Sequence, residues 1–257
     1  MLALLSPAKK LDFDRTDTPE TYTNLELQAD TAELLTTARK QTANDLQNLM
    51  KISDDLSELN FQRFQAMTFP FTQENAKQAG FAFNGDTYTG LDITTLNATD
   101  LAYAQDHVRI LSGLYGLVRP LDLIQPYRLE MGTRMKNTRG ANLYEFWGSK
   151  LADAINDQLE SHANKTVINV ASNEYFKAVK KKQLKHPVVT PVFKEVKGDV
   201  AKMIGFSAKR ARGMMARYIS QNRIDTPEGI KDFNSAGYSF QPSYSNETEY
   251  HFYRTVS

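Results

Sequence analysis

The sequence predicts an α/β protein, of mixed α+β content, in which a mixed β-sheet is enclosed by helices. A helical pattern with apolar residues at every fourth position over 143–159 is followed by a compact apolar strand at 166–171, and a helix followed by a buried strand is typical of an α/β sheet. Strands at 188–196 and 200–206 are joined by the hairpin signal Lys197-Gly198-Asp199. Because no Pro-, Gly- or Ser-rich linker interrupts the chain, residues 1–257 are expected to form a single domain.

The elements of the first half are predicted from apolar spacing and from capping residues. Residues 1–6, MLALLS, are a short apolar run before Pro7 and predict a first buried strand. The further elements expected here are a helix over 25–40, helices capped by Thr42 and by Ser53, a strand at 81–83 closed by the turn Asn84-Gly85-Asp86, and a helix opened by Asn97 or Thr99 that ends near His107.

The second half alternates strands and helices around a loop rich in Gly and Pro. The elements expected here are a strand at 108–111, the loop, a helix over 143–159, strands at 166–171, 188–196 and 200–206, a helix over 207–223, and a last strand pair at 236–240 and 247–254. Parallel and hairpin signals therefore occur in the same sheet.

Composition excludes several classes of function. Cysteine is absent, which excludes disulfides, thiol-based peroxide chemistry, iron–sulfur clusters and cysteine-ligated zinc. The four histidines, His107, His162, His186 and His251, are scattered and lack a metal-ligand spacing. No run of 18 apolar residues is present, and the segment before Pro7 is too short for a signal peptide. We expect a cytoplasmic protein without a metal, a cofactor or a membrane segment.

Charge is distributed unevenly along the chain, although the net charge is only +1. Residues 1–106 carry 8 Lys and Arg against 16 Asp and Glu, residues 107–217 carry 20 against 9, and residues 218–257 carry 3 against 5. This asymmetry predicts a cationic surface that faces a polyanion, with DNA as the expected partner. The acidic first third is then expected to be a helical cover that keeps the remainder of the molecule from binding polyanions everywhere. The alternative is a basic excess that is spread around the molecule and only solvates it.

The sequence at 207–223, SAKRARGMMARYISQNR, predicts a helix that is capped by Ser207 and has one apolar and one cationic face. Its four cations fall within an arc of about 160° at 3.6 residues per turn. They are Lys209, Arg210, Arg212 and Arg217. Gly213 lies between them, and a glycine inside a helix costs roughly 1 kcal/mol relative to Ala. We interpret Gly213 as a gap that lets a phosphate backbone approach; an incidental glycine on a solvated face is the alternative.

A second basic cluster follows the strand at 166–171. Its members are Lys177, Lys180, Lys181, Lys182 and Lys185. Ligands of open α/β sheets bind beyond the carboxyl ends of the strands, and Ser172 is a residue type that caps helices whose N–H groups point at an anion. The cluster therefore indicates anion binding. A simple cap followed by a solvated lysine run fits equally well.

Residues 111–116, LSGLYG, resemble the hairpin of helix-hairpin-helix DNA-binding motifs, in which two glycines let backbone N–H groups contact a phosphate. The match is imperfect, because two residues separate Gly113 from Gly116 and Pro120 lies where the second helix would run. A plain glycine turn is the alternative. Arginines with interleaved Tyr115 and Tyr127 suit phosphate binding and base stacking, although some of them are expected to form structural ion pairs with Asp122 or Glu130. These arginines are Arg109, Arg119, Arg128, Arg134 and Arg139.

Seven strings of the sequence resemble the YaaA family of bacterial peroxide-stress proteins. They are LLSPAKKLDF, FNGDTYTGL, RILSGLYGLVRPLDLIQPYRLEMG, LYEFWG, NVASNEYFKAV, SAKRARGMMARYI and FNSAGYSF. The resemblance runs in order from Met1 to about Tyr253. It implies a cytoplasmic protein of the hydrogen-peroxide response, associated with lowered intracellular free iron and with protection of DNA from Fenton damage.

The resemblance also implies a DNA-binding fold with a helix-hairpin-helix-like element and a positively charged cleft. Together with the charge pattern it predicts binding of duplex or branched DNA, largely independent of sequence, and it implies no protein partner. The expected DNA-contacting residues are Arg109, Ser112, Gly113, Tyr115, Gly116, Arg119, Arg128, Lys177, Lys180, Lys181, Lys209, Arg210, Arg212, Gly213 and Arg217.

An enzyme that acts on nucleic acid or nucleotides is the alternative function. Ser6, Lys9, Glu174, Tyr175 and Lys209 are reactive residue types in strings predicted to be loops or strand ends, and Glu174 suits a general acid or base if a neighbouring cation or burial tunes it. Each of these residues also fits a cap, a phosphate contact or a structural pair. Direct iron sequestration has no support, since neither a Cys or His cluster nor E-x-x-H spacing is present.

Overall fold

The computed structural model describes residues 1–256 and contains, within that range, both helices and strands along the whole chain. The strands are β1 (Leu2–Leu5), β2 (Lys10–Leu11), β3 (Lys77–Gln78), β4 (Phe83–Asn84), β5 (Val108–Ser112), β6 (Gly116–Val118), β7 (Leu123–Ile124), β8 (Val167–Asn169), β9 (Val188–Lys197), β10 (Val200–Lys202), β11 (Ser239–Phe240) and β12 (Glu249–Thr255). The α-helices are α1 (Gln28–Ala38), α2 (Ala43–Met50), α3 (Asp54–Ala66), α4 (Ala79–Ala82), α5 (Asp86–Leu91), α6 (Ala98–His107), α7 (Leu143–Trp147), α8 (Lys150–Leu159), α9 (Asn173–Phe176) and α10 (Gly205–Asn222).

A sheet of eight strands forms the centre of the structure. Its order is β11-β12-β9-β8-β1-β5-β6, with β10 paired to the end of β9. The pairs β12–β9, β9–β8, β8–β1 and β1–β5 are parallel, whereas β11–β12, β10–β9 and β5–β6 are antiparallel. The predicted mixed sheet enclosed by helices is therefore confirmed, with parallel pairing at its centre.

Strand β1 lies in the middle of the sheet because every one of its residues is apolar. Its sequence LALL is fully buried, as expected of a parallel strand covered on both faces. Leu4 is in register with Arg109 of β5 on one side and with Asn169 of β8 on the other. Because β1 and β8 are parallel neighbours, their carboxyl ends lie side by side, and the chain leaves both strands at the same end of the sheet.

Capping residues set several helix starts as predicted. The Thr42 side chain accepts from the Asp45 N–H, and the Asp45 side chain accepts in return from the Thr42 N–H, so α2 begins with a capping box. Asn97 accepts from the Asp100 N–H and begins α6. The helix predicted over 143–159 is instead two helices, α7 and α8, because Gly148 takes a positive φ of 54° between them.

Three local predictions were wrong. Residues 79–82 form a helical turn, so the strand predicted at 81–83 is reduced to β4. Strand β10 ends at Lys202, and α10 starts at Gly205. Ser207 is consequently not the cap of α10 but a buried residue of its first turn, and its hydroxyl accepts a hydrogen bond from Arg254 at 3.2 Å.

The glycine-containing segment at 111–116 is the turn of a β-hairpin. Strands β5 and β6 pair antiparallel across it, with Ser112 opposite Gly116. The helix-hairpin-helix-like element is thus corrected to a strand-turn-strand element, because the flanking residues continue the central sheet. The hairpin is internal: the Trp147 indole donates to the Gly113 carbonyl at 3.0 Å, and the Ser112 and Tyr127 hydroxyls are 2.6 Å apart.

Helices α5 and α10 cross in backbone contact. A Cβ on Gly213 would lie 1.7 Å from the Thr87 carbonyl oxygen of α5, and a Cβ on Gly90 would lie 2.0 Å from the Arg210 carbonyl oxygen of α10. Both glycines are buried. The interpretation of Gly213 as a gap for a phosphate backbone is therefore wrong, because helix α5 fills the space that this glycine leaves.

The acidic first third forms ion pairs with the basic middle third. Asp30, on α1, lies 2.7 Å from Arg139 and 3.0 Å from Lys150. Glu26 lies 3.3 Å from Arg119. The separation of charge along the sequence is therefore not a separation of charge on the surface, because part of the basic excess is neutralised by this cover.

Candidate functional site

A cavity of about 450 Å³ opens at the carboxyl ends of the parallel strands β1 and β8. This is the position at which open α/β sheets bind their ligands. The residues that line it are Ser6, Pro7, Ala8, Lys9, Lys10, Asn84, Gly85, Asp86, Thr87, Glu130, Val170, Ser172, Glu174, Tyr175, Lys209 and Arg212. We refer to it as the strand-end cavity.

Two serines connect the loops that form the floor of the strand-end cavity. The Ser172 N–H donates to the Ser6 hydroxyl oxygen at 2.8 Å, and the Ser6 hydroxyl donates to the Ser172 hydroxyl oxygen at 3.4 Å. The Tyr88 hydroxyl, from α5, donates to the Ser6 carbonyl at 3.1 Å. The chain segments that follow β1 and β8 are thus held together, and α5 is fixed over them.

The SPAKK segment at 6–10 forms one side of the cavity. Lys10, in β2, pairs with Asn84 in β4, which brings the segment at 84–87 against the cavity. The Lys9 ammonium lies 2.8 Å from one carboxylate oxygen of Glu130. The other carboxylate oxygen of Glu130 lies 3.2 Å from the Arg128 guanidinium. The charge of Glu130 is therefore balanced by two cations.

Helix α9 contributes a carboxylate and a phenol. The Glu174 carboxylate accepts from the Gly132 N–H at 2.9 Å, and the Tyr144 hydroxyl donates to the Glu174 carbonyl at 3.0 Å. Tyr175 is buried, and burial raises the pKa of its hydroxyl well above the usual value. Tyr175 is consequently a neutral hydrogen-bonding group at physiological pH and not a phenolate base.

Helix α10 supplies two cations to the strand-end cavity. Lys209 and Arg212 are three residues apart and so lie on one side of the helix. Helix α5 passes beside them over Gly213 and separates them from Arg210 and Arg217. The predicted single cationic face is therefore divided into two parts, of which only one faces the cavity.

Arg212 has an unusual environment. Its side chain is half-buried, and burial lowers the pKa of its guanidinium, although the group remains charged at neutral pH. Within residues 1–256 it makes no hydrogen bond or ion pair. A half-buried charge without a protein partner is costly, so an anionic ligand in the cavity would satisfy it.

The balance of charge in the cavity favours anions. Its lining includes four cations, Lys9, Lys10, Lys209 and Arg212, and three carboxylates, Asp86, Glu130 and Glu174. In the described part of the chain the side chains of Lys10, Lys209 and Arg212 lack an ion-pair partner. Of the carboxylates, Glu130 is paired and Glu174 is bonded to a backbone N–H, so Asp86 alone stands against these three cations without an ion-pair partner in that part of the chain. The arrangement provides a set of cationic donors for a phosphate or carboxylate group.

Most residues of the predicted hairpin site lie away from solvent. Ser112 and Tyr115 have no exposed surface, and Gly113 and Gly116 are buried beneath Leu129 and Trp147. Arg109 is also buried, which lowers the pKa of its guanidinium to about 10. It donates to Gln158, Gln105 and Val108 instead of to a ligand. The β5–β6 hairpin and Arg109 are therefore part of the core.

Three further predicted arginines form structural pairs. Arg119 binds Asp122 at 2.9 Å and Glu26 at 3.3 Å. Arg128 binds Glu130 at 3.2 Å and does not itself line the strand-end cavity. Arg217 donates to the carbonyls of Leu91 and Asp92 at 3.1 and 2.6 Å and thereby satisfies the end of α5. The expectation that some of the arginines around the glycine turn form structural ion pairs with Asp122 or Glu130 is therefore confirmed for Arg119 and Arg128.

The remaining predicted cations are exposed but lie outside the strand-end cavity. Arg210 lines a separate cavity of about 370 Å³ with Arg15 and Asp92. Lys180 and Lys181 are exposed on turns that follow α9. The Lys177 ammonium lies 5.0 Å from the centre of the Tyr144 ring. Of the predicted DNA-contacting residues, the structure brings only Lys209 and Arg212 into the strand-end cavity.

The residues of the predicted alternative site do come together. Ser6, Lys9, Glu174, Tyr175 and Lys209 all line the strand-end cavity. Sequence reasoning assigned no site role to Lys10, to 84–87 or to Glu130, and it interpreted Ser172 as a cap. No local sequence signal marks these residues as a site, because the pairing of β1 with β8 and of β2 with β4 is what brings the segments after β1, β4 and β8 together.

The described residues 1–256 contain neither a cluster of metal-ligating side chains nor a helix that could span a membrane. No group of three or more His, Cys, Asp or Glu side chains is arranged to hold a metal ion. No helix in this range combines the length and the apolar character that crossing a membrane requires.

Comparison with known proteins identifies the family. The family model described as "Peroxide stress protein YaaA" matches residues 1–244. UPF0246 proteins of Burkholderia cenocepacia strain HI2424 and Burkholderia vietnamiensis strain G4 are 52% and 54% identical to this chain over 258 aligned positions, which cover 100% of this chain and 99% of each relative. A UPF0246 protein of Paraburkholderia xenovorans is 51% identical, with both chains covered completely. The chain therefore belongs to the YaaA family of peroxide stress proteins.

Proposed function

We propose that this peroxide stress protein binds DNA through its phosphates at the rim of the strand-end cavity, and that this binding serves to limit intracellular free iron and Fenton damage to DNA. The observation that carries the DNA proposal is the unpaired, half-buried guanidinium of Arg212, with Lys209 beside it, at a cavity on the ligand-binding edge of the sheet. Both the resemblance noted in the sequence and the family membership support a role in the peroxide response.

Phosphate contacts determine how such binding depends on salt and sequence. Each phosphate that Lys or Arg neutralises releases counterions, so affinity falls as salt rises, with a slope of about −0.9 per phosphate for duplex DNA. Among the described residues 1–256, the unpaired cations of the cavity lining are Lys10, Lys209 and Arg212. We therefore expect a slope of roughly −2 to −3 and little dependence on base sequence.

A duplex titration at two salt concentrations tests the proposal. Arg212→Glu and Lys209→Glu should each weaken binding by at least about tenfold, since each replaces an attractive charge with a repulsive one. Lys40→Glu is the matched control, because Lys40 is exposed after α1 and does not line the cavity. Parent-like affinity in both cavity variants would contradict the proposal, as would an equal loss in the control.

The iron component has its own test. Cells that lack the protein and are exposed to hydrogen peroxide should contain more free iron and more DNA strand breaks than cells that express it. Expression of Arg212→Glu should fail to restore either quantity, and expression of Lys40→Glu should restore both. Full restoration by Arg212→Glu would separate the iron phenotype from the strand-end cavity.

A second candidate function is an enzyme that acts on nucleic acid or nucleotides. The observation that favours it is that Ser6, Lys9, Glu174, Tyr175 and Lys209 line one cavity. Incubation of the protein with labelled DNA and nucleotides, with and without Mg²⁺, tests it. A product that disappears in Glu174→Gln would establish catalysis, and unchanged substrates under all conditions would reject it.

A further inference from the structure

The two walls of the strand-end cavity differ in chemistry. The wall formed by α10 presents Lys209 and Arg212, which lack protein partners within residues 1–256. The remainder of the lining combines apolar groups, Pro7, Ala8 and Val170, with hydrogen-bonding groups. The polar and charged groups of this remainder are Ser6, Lys9, Lys10, Asn84, Asp86, Thr87, Glu130, Ser172, Glu174 and Tyr175. An inorganic anion would use the cations of the lining, Lys10, Lys209 and Arg212, and leave the apolar groups without a ligand.

The composition of the lining favours an anion that is attached to a larger, partly flat body. A volume of about 450 Å³ lies within the range of about 300–1,000 Å³ that is usual for small-molecule sites. Apolar groups pack against the face of a ring, whereas amide and carboxylate groups such as those of Asn84 and Glu174 hydrogen-bond to the edges of nucleobases. A phosphorylated sugar alone offers Pro7, Ala8 and Val170 much less flat apolar surface than a nucleobase does.

We propose that the strand-end cavity binds one nucleotide, with the phosphate at Lys209 and Arg212 and the nucleoside against the wall that carries Ala8, Val170 and Glu174. This inference deepens the proposed DNA binding and rests on it only where DNA is the source of the nucleotide. A free mononucleotide and a nucleotide at the end or in an unpaired part of a DNA strand carry the same phosphate and ring. The cavity then binds a whole nucleotide rather than only a backbone phosphate.

Isothermal titration of the full chain with dAMP and dCMP, and with deoxyadenosine and inorganic phosphate as partial ligands, tests the inference. Mononucleotides should bind at least about tenfold more tightly than either partial ligand, because only they contact both walls. Arg212→Gln should weaken mononucleotide binding by at least about tenfold. Arg210→Gln should change it less than about twofold, because Arg210 lies on the same helix but lines the other cavity.

A second variant keeps the test informative about the nucleoside wall. Ala8→Phe narrows the apolar side of the cavity, so it should weaken dAMP binding by at least about tenfold while inorganic phosphate binds as in the parent. Circular dichroism and thermal unfolding check that each variant is folded. Equal affinity of the parent for phosphate and mononucleotide, absence of mononucleotide binding, or equal losses in Arg210→Gln and Arg212→Gln would each overturn the inference.

Titration with duplex and single-stranded oligonucleotides separates this inference from the proposed function. If oligonucleotides bind in an Arg212-dependent manner and mononucleotides do not bind, the nucleotide site is rejected and DNA binding stands. If mononucleotides bind in an Arg212-dependent manner and oligonucleotides do not, the inference stands with a free nucleotide as ligand, and the proposed DNA binding fails. Competition between dAMP and a single-stranded oligonucleotide would assign both ligands to the same cavity.

Discussion

Arg212 is the residue at which stability and function are expected to conflict. Its guanidinium is half-buried on α10 without a carboxylate partner in residues 1–256, whereas Arg217, five residues later, donates to two carbonyls at the end of α5. Binding sites commonly keep such unfavourable groups because a ligand needs them. The two arginines therefore give a matched pair for comparing a ligand-binding role with a structural one.

Arg212→Gln should leave the free energy of unfolding unchanged or raise it by up to about 1 kcal/mol, because it removes an unpaired, partly desolvated charge. Arg217→Gln should lower it by about 1–2 kcal/mol, because charge-assisted hydrogen bonds to the end of α5 are lost. Urea denaturation measures both values. A larger loss of stability in Arg212→Gln than in Arg217→Gln would show that Arg212 is a structural residue.

His162 should make stability depend on pH. Burial, together with the nearby N-terminal amine and His107, lowers the pKa of His162 from 6.5 to about 4. The unfolded chain therefore binds a proton more readily than the folded one, and stability falls as the pH falls from 6.5 towards 4. His162→Gln should reduce the slope of the free energy of unfolding against pH in this window. An unchanged slope would show that His162 is as easily protonated in the folded chain as in the unfolded chain.

At the level of elements, the crossing of α5 and α10 positions the cavity. Gly90 and Gly213 let the two helices meet at backbone distance, and Tyr88 of α5 connects this pair to Ser6 at the end of β1. Lys209 and Arg212 are thereby held beside the segment at 84–87. Precise placement of these cations depends on two positions that can accept no side chain.

Gly213→Ala should lower the free energy of unfolding by about 1–3 kcal/mol or more, because the new methyl group would lie 1.7 Å from the Thr87 carbonyl oxygen and would force the helices apart. Gly205→Ala is the matched control at the start of the same helix, where a Cβ would meet no atom within 4 Å. It should be neutral or stabilising by up to about 1 kcal/mol. Equal thermal stability of the two variants would contradict the crossing.

Local sequence patterns predicted the helices and strands better than they predicted which of these elements contact one another. The apolar runs at β1 and β8 and the caps at Thr42 and Asn97 follow from short-range preferences that the structure bears out. The helical pattern of α10 was likewise visible in the sequence. Nothing in that pattern shows that α5 covers Gly213, because the covering helix lies more than a hundred residues earlier in the chain. The same limitation led to the interpretation of the β5–β6 turn as a DNA-binding hairpin.

At the level of the whole molecule, acidic residues of the first third form ion pairs with basic residues of the middle third, although these charges are separated along the sequence. Burial alone would raise the pKa of Asp30, but hydrogen bonds and charges from Arg139 and Lys150 outweigh it and hold that pKa below its usual value. Glu26 pairs with Arg119 in the same cover. The basic surface that remains is smaller than the sequence suggests, and within the strand-end cavity it is concentrated on a few cations.

Asp30→Asn should lower the free energy of unfolding at pH 7 by about 1–3 kcal/mol, between the effect of breaking an exposed ion pair and that of breaking a buried one. A carboxyl whose pKa is lowered by folding stabilises the protein above its unfolded pKa and ceases to do so as the pH falls through its folded pKa. The difference between parent and variant should therefore shrink below about pH 4. A difference that is constant from pH 7 to pH 3 would contradict this ion-pair account.

The candidate site could be predicted only in part. Ser6, Lys9, Glu174, Tyr175 and Lys209 were recognisable as reactive residue types at strand ends, and all five line the strand-end cavity. Their convergence depends on the parallel pairing of β1 with β8, which are separated by more than 160 residues. Conversely, Arg109, Gly113 and Gly116 are residue types that are suited to DNA binding, but long-range packing buries all three.

Hydrogen exchange with and without DNA tests most directly whether the strand-end cavity is the functional site. Addition of duplex DNA should slow exchange in peptides that contain residues 6–10, 84–87 and 172–175 and in the first half of α10, because these segments contribute residues to the cavity lining. Peptides covering the exposed lysines at 180–185 should exchange as before. Protection confined to 180–185, with none at the cavity segments, would place DNA on another surface and contradict the account.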